Sequence, residues 1–125
     1  MASATTLAYV RLYHGTDLAS ANDILQNGLD AQRAIAAGGP GYAGQGEFYA
    51  ITTYSEAEKF AKLCGRGPDF AVLAFDLPDT VIQDLLSRWP GAAAHIDGSD
   101  LYVFYPASYA VLNANMTNKQ VVPVP

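Results

Sequence analysis

Residues 70–76 read Phe-Ala-Val-Leu-Ala-Phe-Asp, an apolar run without alternation until its last position. A strand of that kind must be covered on both faces, so the chain needs a sheet with material packed against each side. Residues 7–13 mix β-branched, aromatic and aliphatic side chains and lead to the turn-forming Gly15, which predicts a strand delivering His14 at its end. From Thr16 or Asp17 as N-cap, Leu18, Ala21, Ile24 and Leu25 recur at helical spacing up to Gly28. Residues 48–53 predict a short strand. Ser55-Glu56-Ala57-Glu58 then has the form of a capping box, opening a helix that runs to Cys64 and buries Ala57, Phe60 and Ala61. Pro78-Asp79 introduces a further helix with Ile82, Leu85, Leu86 and Trp89 on one face, ended by Pro90. Residues 101–105 predict a strand, residues 109–113 another, and Val121-Val122 an edge. The expected class is α+β, with strands outnumbering helices, in a single domain over residues 1–125.

Half of the 125 residues are hydrophobic, enough for one core without covalent staples. Twelve acidic and 7 basic residues give a net charge of -5 with no run of Lys or Arg. That balance disfavours nucleic acid as an obligatory scaffold and leaves room only for a brief encounter with RNA. Cys64 is the only cysteine, so there is no internal disulfide; His14 and His95 are the only histidines, and no zinc-ligand spacing exists, so no metal is expected. No basic leader precedes a long apolar stretch, and no segment approaches the ~18 apolar residues of a membrane span, so a soluble chain without a membrane partner is expected. The Met-Ala-Ser-Ala start suits a small complete chain and a domain of a longer one alike.

Residues 30–46 hold five of the 11 glycines and little periodicity, which predicts a long loop of the kind that often carries function. Inside it, Gly39-Pro40-Gly41-Tyr42-Ala43-Gly44 spells G-x-G-x-x-G. With no strand before it and no helix after it, a flexible loop is the better reading than a dinucleotide fingerprint. Cys64, at a helix end with no argued His partner, reads as a small buried hydrophobe. His95, near Asp97, reads as a solvated loop histidine, and no G-x-S-x-G nucleophile elbow exists. His14 is different: Tyr13, Gly15 and Thr16 surround it at a strand-to-helix turn, where a glycine lets the backbone approach a ligand closely.

Three segments together resemble the motifs of one family. Tyr13-His14-Gly15-Thr16 looks like a His-Gly pair followed by Ser or Thr, and Gly46-Glu47-Phe48-Tyr49 like a Gly-x-aromatic-Tyr strand. Asp100-Leu101-Tyr102-Val103-Phe104-Tyr105 is similar to a late Glu-Tyr-x-Val-Tyr strand. These are the motifs of the H-Y-E class of ADP-ribosyltransferases, the diphtheria-toxin-like and poly(ADP-ribose)-polymerase-like catalytic domains, and the resemblance spans most of the chain. It implies an α+β split β-sheet sandwich with a few short helices, and NAD as substrate. Tyr49 and Phe60, 11 residues apart, would sandwich the nicotinamide ring. Gly15 would hold the carboxamide through its backbone, His14 would hydrogen-bond the adenosine-side ribose with Thr16 assisting, and Tyr42 would touch the adenosine end.

The third motif departs from the family pattern. Gapless alignment puts Leu101 at the glutamate position, while Asp100 lies one residue early, on the opposite face of a regular strand unless a bulge redirects it. Glu47, two residues before Tyr49, is the second carboxylate, expected to share the Tyr49 face. His14, Tyr49, Asp100 and Glu47 are thus the candidate catalytic residues. Relatives with an apolar third residue still transfer a single ADP-ribose, so the resemblance implies mono-ADP-ribosyl transfer, or NAD hydrolysis where no acceptor is present. The small size suggests the catalytic domain of a toxin or effector acting in the cytoplasm, delivered within a larger secreted protein. Its partners would be NAD, an acceptor that is a protein rather than a nucleic acid, and an immunity or regulatory protein. Leu101 motivates the alternative of a catalytically silent NAD- or ADP-ribose-binding sensor or interaction domain. A related RNA 2'-phosphotransferase would need clustered arginines, whereas Arg11, Arg33, Arg66 and Arg88 are scattered.

Overall fold

The structure, a computed structural model, describes residues 8–30, 47–64, 69–88, 93–96 and 100–125. In chain order the elements are β1 (Tyr9–Asp17), α1 (Leu18–Asn27), β2 (Phe48–Ile51), α2 (Tyr54–Cys64), β3 (Phe70–Pro78) and α3 (Asp79–Ser87). There follow β4 (Ala93–His95), β5 (Leu101–Phe104), a 3-10 turn (Pro106–Ser108), α4 (Tyr109–Asn115) and β6 (Thr117–Val124). The six strands form one sheet in the order β4-β5-β2-β1-β3-β6, and every pairing is antiparallel. The fold is α+β. Among the described residues no helix is long and apolar enough to cross a membrane.

The apolar run of β3 is covered on both faces. Ala71, Leu73, Phe75 and Leu77 enter the main core with Ala21 of α1, Ile82 and Leu85 of α3, and Tyr109 and Leu112 of α4. Val72 and Ala74 point the other way, in register with Gly15 and Tyr13 of β1. On that face Gly15 meets α2 at Ala57 and Ala61, both fully buried. A helix therefore backs the sheet on each side, as a strand without alternation requires.

Five elements differ from the sequence reading. β1 does not stop at the glycine: Gly15, Thr16 and Asp17 keep pairing with Val72, Ala71 and Phe70, so His14 lies inside the strand. Asp17 then caps α1, its carboxylate accepting from the Ser20 backbone N–H at 2.7 Å. Helix α2 opens at Tyr54, which puts Ser55 within its first turn rather than at the N-cap. Residues 109–113 are helical, because Tyr109, Leu112 and Met116 recur at helical spacing and all three enter the core. β6 spans eight residues where only Val121-Val122 was expected. β4, drawn from small residues with no strand signature, was not anticipated at all.

The end of α1 is tied to α4. Gly28 adopts φ +79, the left-handed region that glycine enters freely, and its N–H bonds the Ile24 carbonyl. The next residue is gripped by one side chain: Asn113 accepts from the Leu29 N–H at 2.7 Å and donates to the Leu29 carbonyl at 3.0 Å. Asn113→Ala strands both groups of a buried residue and is expected to lower stability by about 2 kcal/mol, read as a reduced urea midpoint at unchanged m-value.

Pairing within the one sheet is thinnest between β2 and β1. Every other strand pair runs over three or more positions, whereas β1 and β2 share a single pairing, Tyr13 with Ile51. Two three-stranded halves therefore meet along a seam one pair long.

Candidate active site

A cleft opens at this seam. Tyr13, His14 and Gly15 line it from β1; Tyr49, Ala50 and Ile51 from β2; Ala57 and Phe60 from α2; and Leu101 from β5. Its empty space of about 240 Å³ includes open solvent, so it is an open cleft and not an enclosed cavity. His14, Gly15, Tyr49 and Phe60, read from three separate segments of sequence, come together here.

His14 occupies the place of the missing ladder. Its Nδ1 lies 2.6 Å from the Tyr49 carbonyl oxygen, and its ring rests on Phe48 with centroids 4.4 Å apart. A carbonyl can only accept, so Nδ1 carries the proton and Nε2 is left as an acceptor. Among the described residues Nε2 has no hydrogen-bond partner, and since no buried side-chain nitrogen or oxygen goes unpartnered, solvent reaches it. Burial drives the imidazole pKa down to about 4, outweighing the opposing pull of the Tyr49 carbonyl and of Asp17. At neutral pH the site holds an uncharged imidazole whose free lone pair can accept from a hydroxyl.

Gly15 is required by packing. A Cβ there would overlap the Ala57 carbonyl oxygen and stand 2.7 Å from the Ala61 nitrogen, so only a glycine lets α2 lie this close to β1. That closeness holds Phe60 over the cleft. Thr16 lies on the core face and does not line the cleft, and Tyr42 lies outside the described residues.

Neither expected carboxylate lines the cleft. The β2–β5 register runs unbroken from Phe48 opposite Phe104 to Ile51 opposite Leu101, with no bulge to redirect Asp100. Leu101 takes the cleft position, while exposed Asp100 faces Thr53, whose hydroxyl donates to it at 3.4 Å. Glu47 precedes the first residue of β2, so strand alternation does not reach it. Its charge acts instead on Tyr109 of α4: burial pushes that phenol's pKa up, and the Glu47 carboxylate adds to the rise. His95 ends β4 and stacks on Tyr102 at 4.7 Å. Sequence reasoning missed Tyr13 as a wall of the cleft; its place beside the His-Gly pair on a strand, alternating with His14, was the available signal.

No protein-family model matches this chain, and no curated protein or solved structure matches it either.

Proposed function

We propose that this domain takes the nicotinamide end of NAD into the seam cleft and transfers a single ADP-ribose to an acceptor, or hydrolyses NAD when water is the acceptor. The observation that carries this reading is the convergence of His14, Gly15, Tyr49 and Phe60 from two strands and a helix on one cleft. Tyr49 and Phe60 supply aromatic faces for a flat, electron-poor ring, and the neutral His14 offers Nε2 to a ribose hydroxyl. In the reaction the bond between nicotinamide and ribose C1' breaks, its electron pair leaving with nicotinamide, and charge builds on the ribose as in glycoside hydrolysis. The acceptor's nucleophile bonds C1' and yields its proton to solvent. The residues contribute by fixing the geometry of the breaking bond.

Leu101 in the cleft favours a second reading, NAD binding without turnover in a sensor or interaction module. Incubation with NAD and assay of free nicotinamide separates the two. Transfer or hydrolysis predicts release by the wild type and a loss of about a hundredfold in His14→Ala and Tyr49→Ala. Calorimetric binding of NAD with no release supports the second reading. Absence of both binding and release removes the two together.

A further inference from the structure

Resting on the reading of the cleft as a nicotinamide site, we propose that Tyr13 is a specificity-determining residue that recognises the aromatic ring of the ligand, and that Tyr54 is the positioning residue that holds it. Tyr13 is half-buried and lines the cleft beside Gly15. It sits at the one position where β1 still pairs with β2, so its backbone is clamped between Ala74 of β3 and Ile51 of β2. Its ring meets Tyr54, the first residue of α2, with centroids 5.7 Å apart and planes at 86°. An edge-to-face contact of that geometry favours one plane for the phenol. α2 cannot slide away, because Gly15 seats it against β1.

The cleft thereby gains a third aromatic side chain, beside Tyr49 and Phe60. Three aromatic groups around one opening select for a planar, electron-poor ring by stacking and by attraction to the positive charge of a pyridinium. They offer little to a sugar or a phosphate. The ligand class that Tyr13 distinguishes is thus a pyridinium or pyridine carboxamide, against an otherwise identical nucleotide that lacks the ring.

The test measures binding of three probes, NAD, nicotinamide and ADP-ribose, to the full chain by calorimetry. Failure of the wild type to bind any of them overturns the nicotinamide-site reading and this proposal with it. With wild-type binding established, Tyr13→Ala is expected to weaken nicotinamide and NAD about tenfold and to leave ADP-ribose within about twofold. Tyr13→Phe keeps the ring and restores wild-type affinity. Tyr54→Ala leaves the Tyr13 ring in place but unheld, and is expected to weaken nicotinamide about threefold without affecting ADP-ribose. Should Tyr13→Ala fail to fold, Tyr13→Leu, an apolar residue of good bulk, stands in with the same expectation. Unchanged nicotinamide affinity in a folded Tyr13→Ala or Tyr13→Leu protein overturns the proposal alone, as does an equal loss for all three probes.

Discussion

Gly15→Ala is expected to destabilise the domain by about 4 kcal/mol or more, enough to prevent accumulation of folded protein. The added methyl would overlap the Ala57 carbonyl oxygen and lie 2.7 Å from the Ala61 nitrogen. Both are backbone atoms of α2, so no rotamer change relieves the overlap, and the helix must lift from the strand as a unit. Lifting it opens a gap beneath Ala57 and Ala61, which are fully buried, and close-packed interiors tolerate such gaps poorly. The backbone origin of the clash makes a second outcome specific. Ala57→Gly shortens a side chain that is not the obstacle, so the double variant Gly15→Ala/Ala57→Gly should be no more stable than Gly15→Ala. Urea unfolding of the three proteins decides the matter; a Gly15→Ala midpoint close to wild type would show that α2 is not seated as described.

Acidification is expected to remove about 3 kcal/mol of stability through His14 alone. An ordinary histidine titrates near 6.5, and burial lowers this one to about 4. Between those values the unfolded chain binds the proton and the folded chain does not, so stability rises with pH across that window. The contribution is complete above about 6.5, falls as pH drops toward 4, and levels off below it. Carboxylates also titrate there, so the measurement is a difference: urea unfolding from pH 7 to 4 for the wild type and for His14→Asn, which has no ionisable ring. The wild type should lose more than the variant across the window, by about 3 kcal/mol. Parallel curves would show that His14 titrates normally. The same neutrality bears on chemistry, since Nε2 accepts hydrogen bonds only while unprotonated.

The parts of the fold legible in the sequence are those where local pattern and tertiary demand agree. The 70–76 run required a strand covered on both faces, and β3 is one. Asp17 and Gly28 bounded α1 because each supplies a group the helix end needs. Residues 109–113 misled, since Tyr109 and Val111 favour strands as individuals, whereas the helix follows from which residues reach the core together. β6 was hidden because Thr117 to Gln120 are polar. They hold their place through Arg11, which donates to Asp76 at 3.0 Å, to the Asn118 carbonyl at 3.0 Å and to the Gln120 side chain at 2.9 Å. Those partners lie more than 60 residues away in sequence, beyond any local pattern.

The candidate site divides the same way. Tyr49 and Phe60 belong to one strand-turn-helix unit, whose spacing alone brings both to the cleft. His14 and Gly15 are neighbours on β1. The carboxylate depended on whether a bulge interrupts β5, a property of the pairing with β2 that a single strand's residues do not encode. Its outcome is Leu101 at the cleft and Asp100 exposed beside Thr53.

The one-pair seam carries a mechanical consequence. A sheet ordinarily resists being pried apart because each step breaks another rung. Among the described residues the β1–β2 seam has one rung, Tyr13–Ile51, and the His14 bond to Tyr49, while Phe48 packs across it on His14 and on Phe75. What ladder is missing there is replaced by side chains: Phe48, Ala50 and Phe104 from one half and Leu12, Leu73 and Phe75 from the other belong to a single core. Cohesion of the two halves at the seam therefore depends on apolar packing more than on backbone hydrogen bonds, so a large-to-small change at Phe48 or Phe75 would loosen the sheet where no ladder compensates.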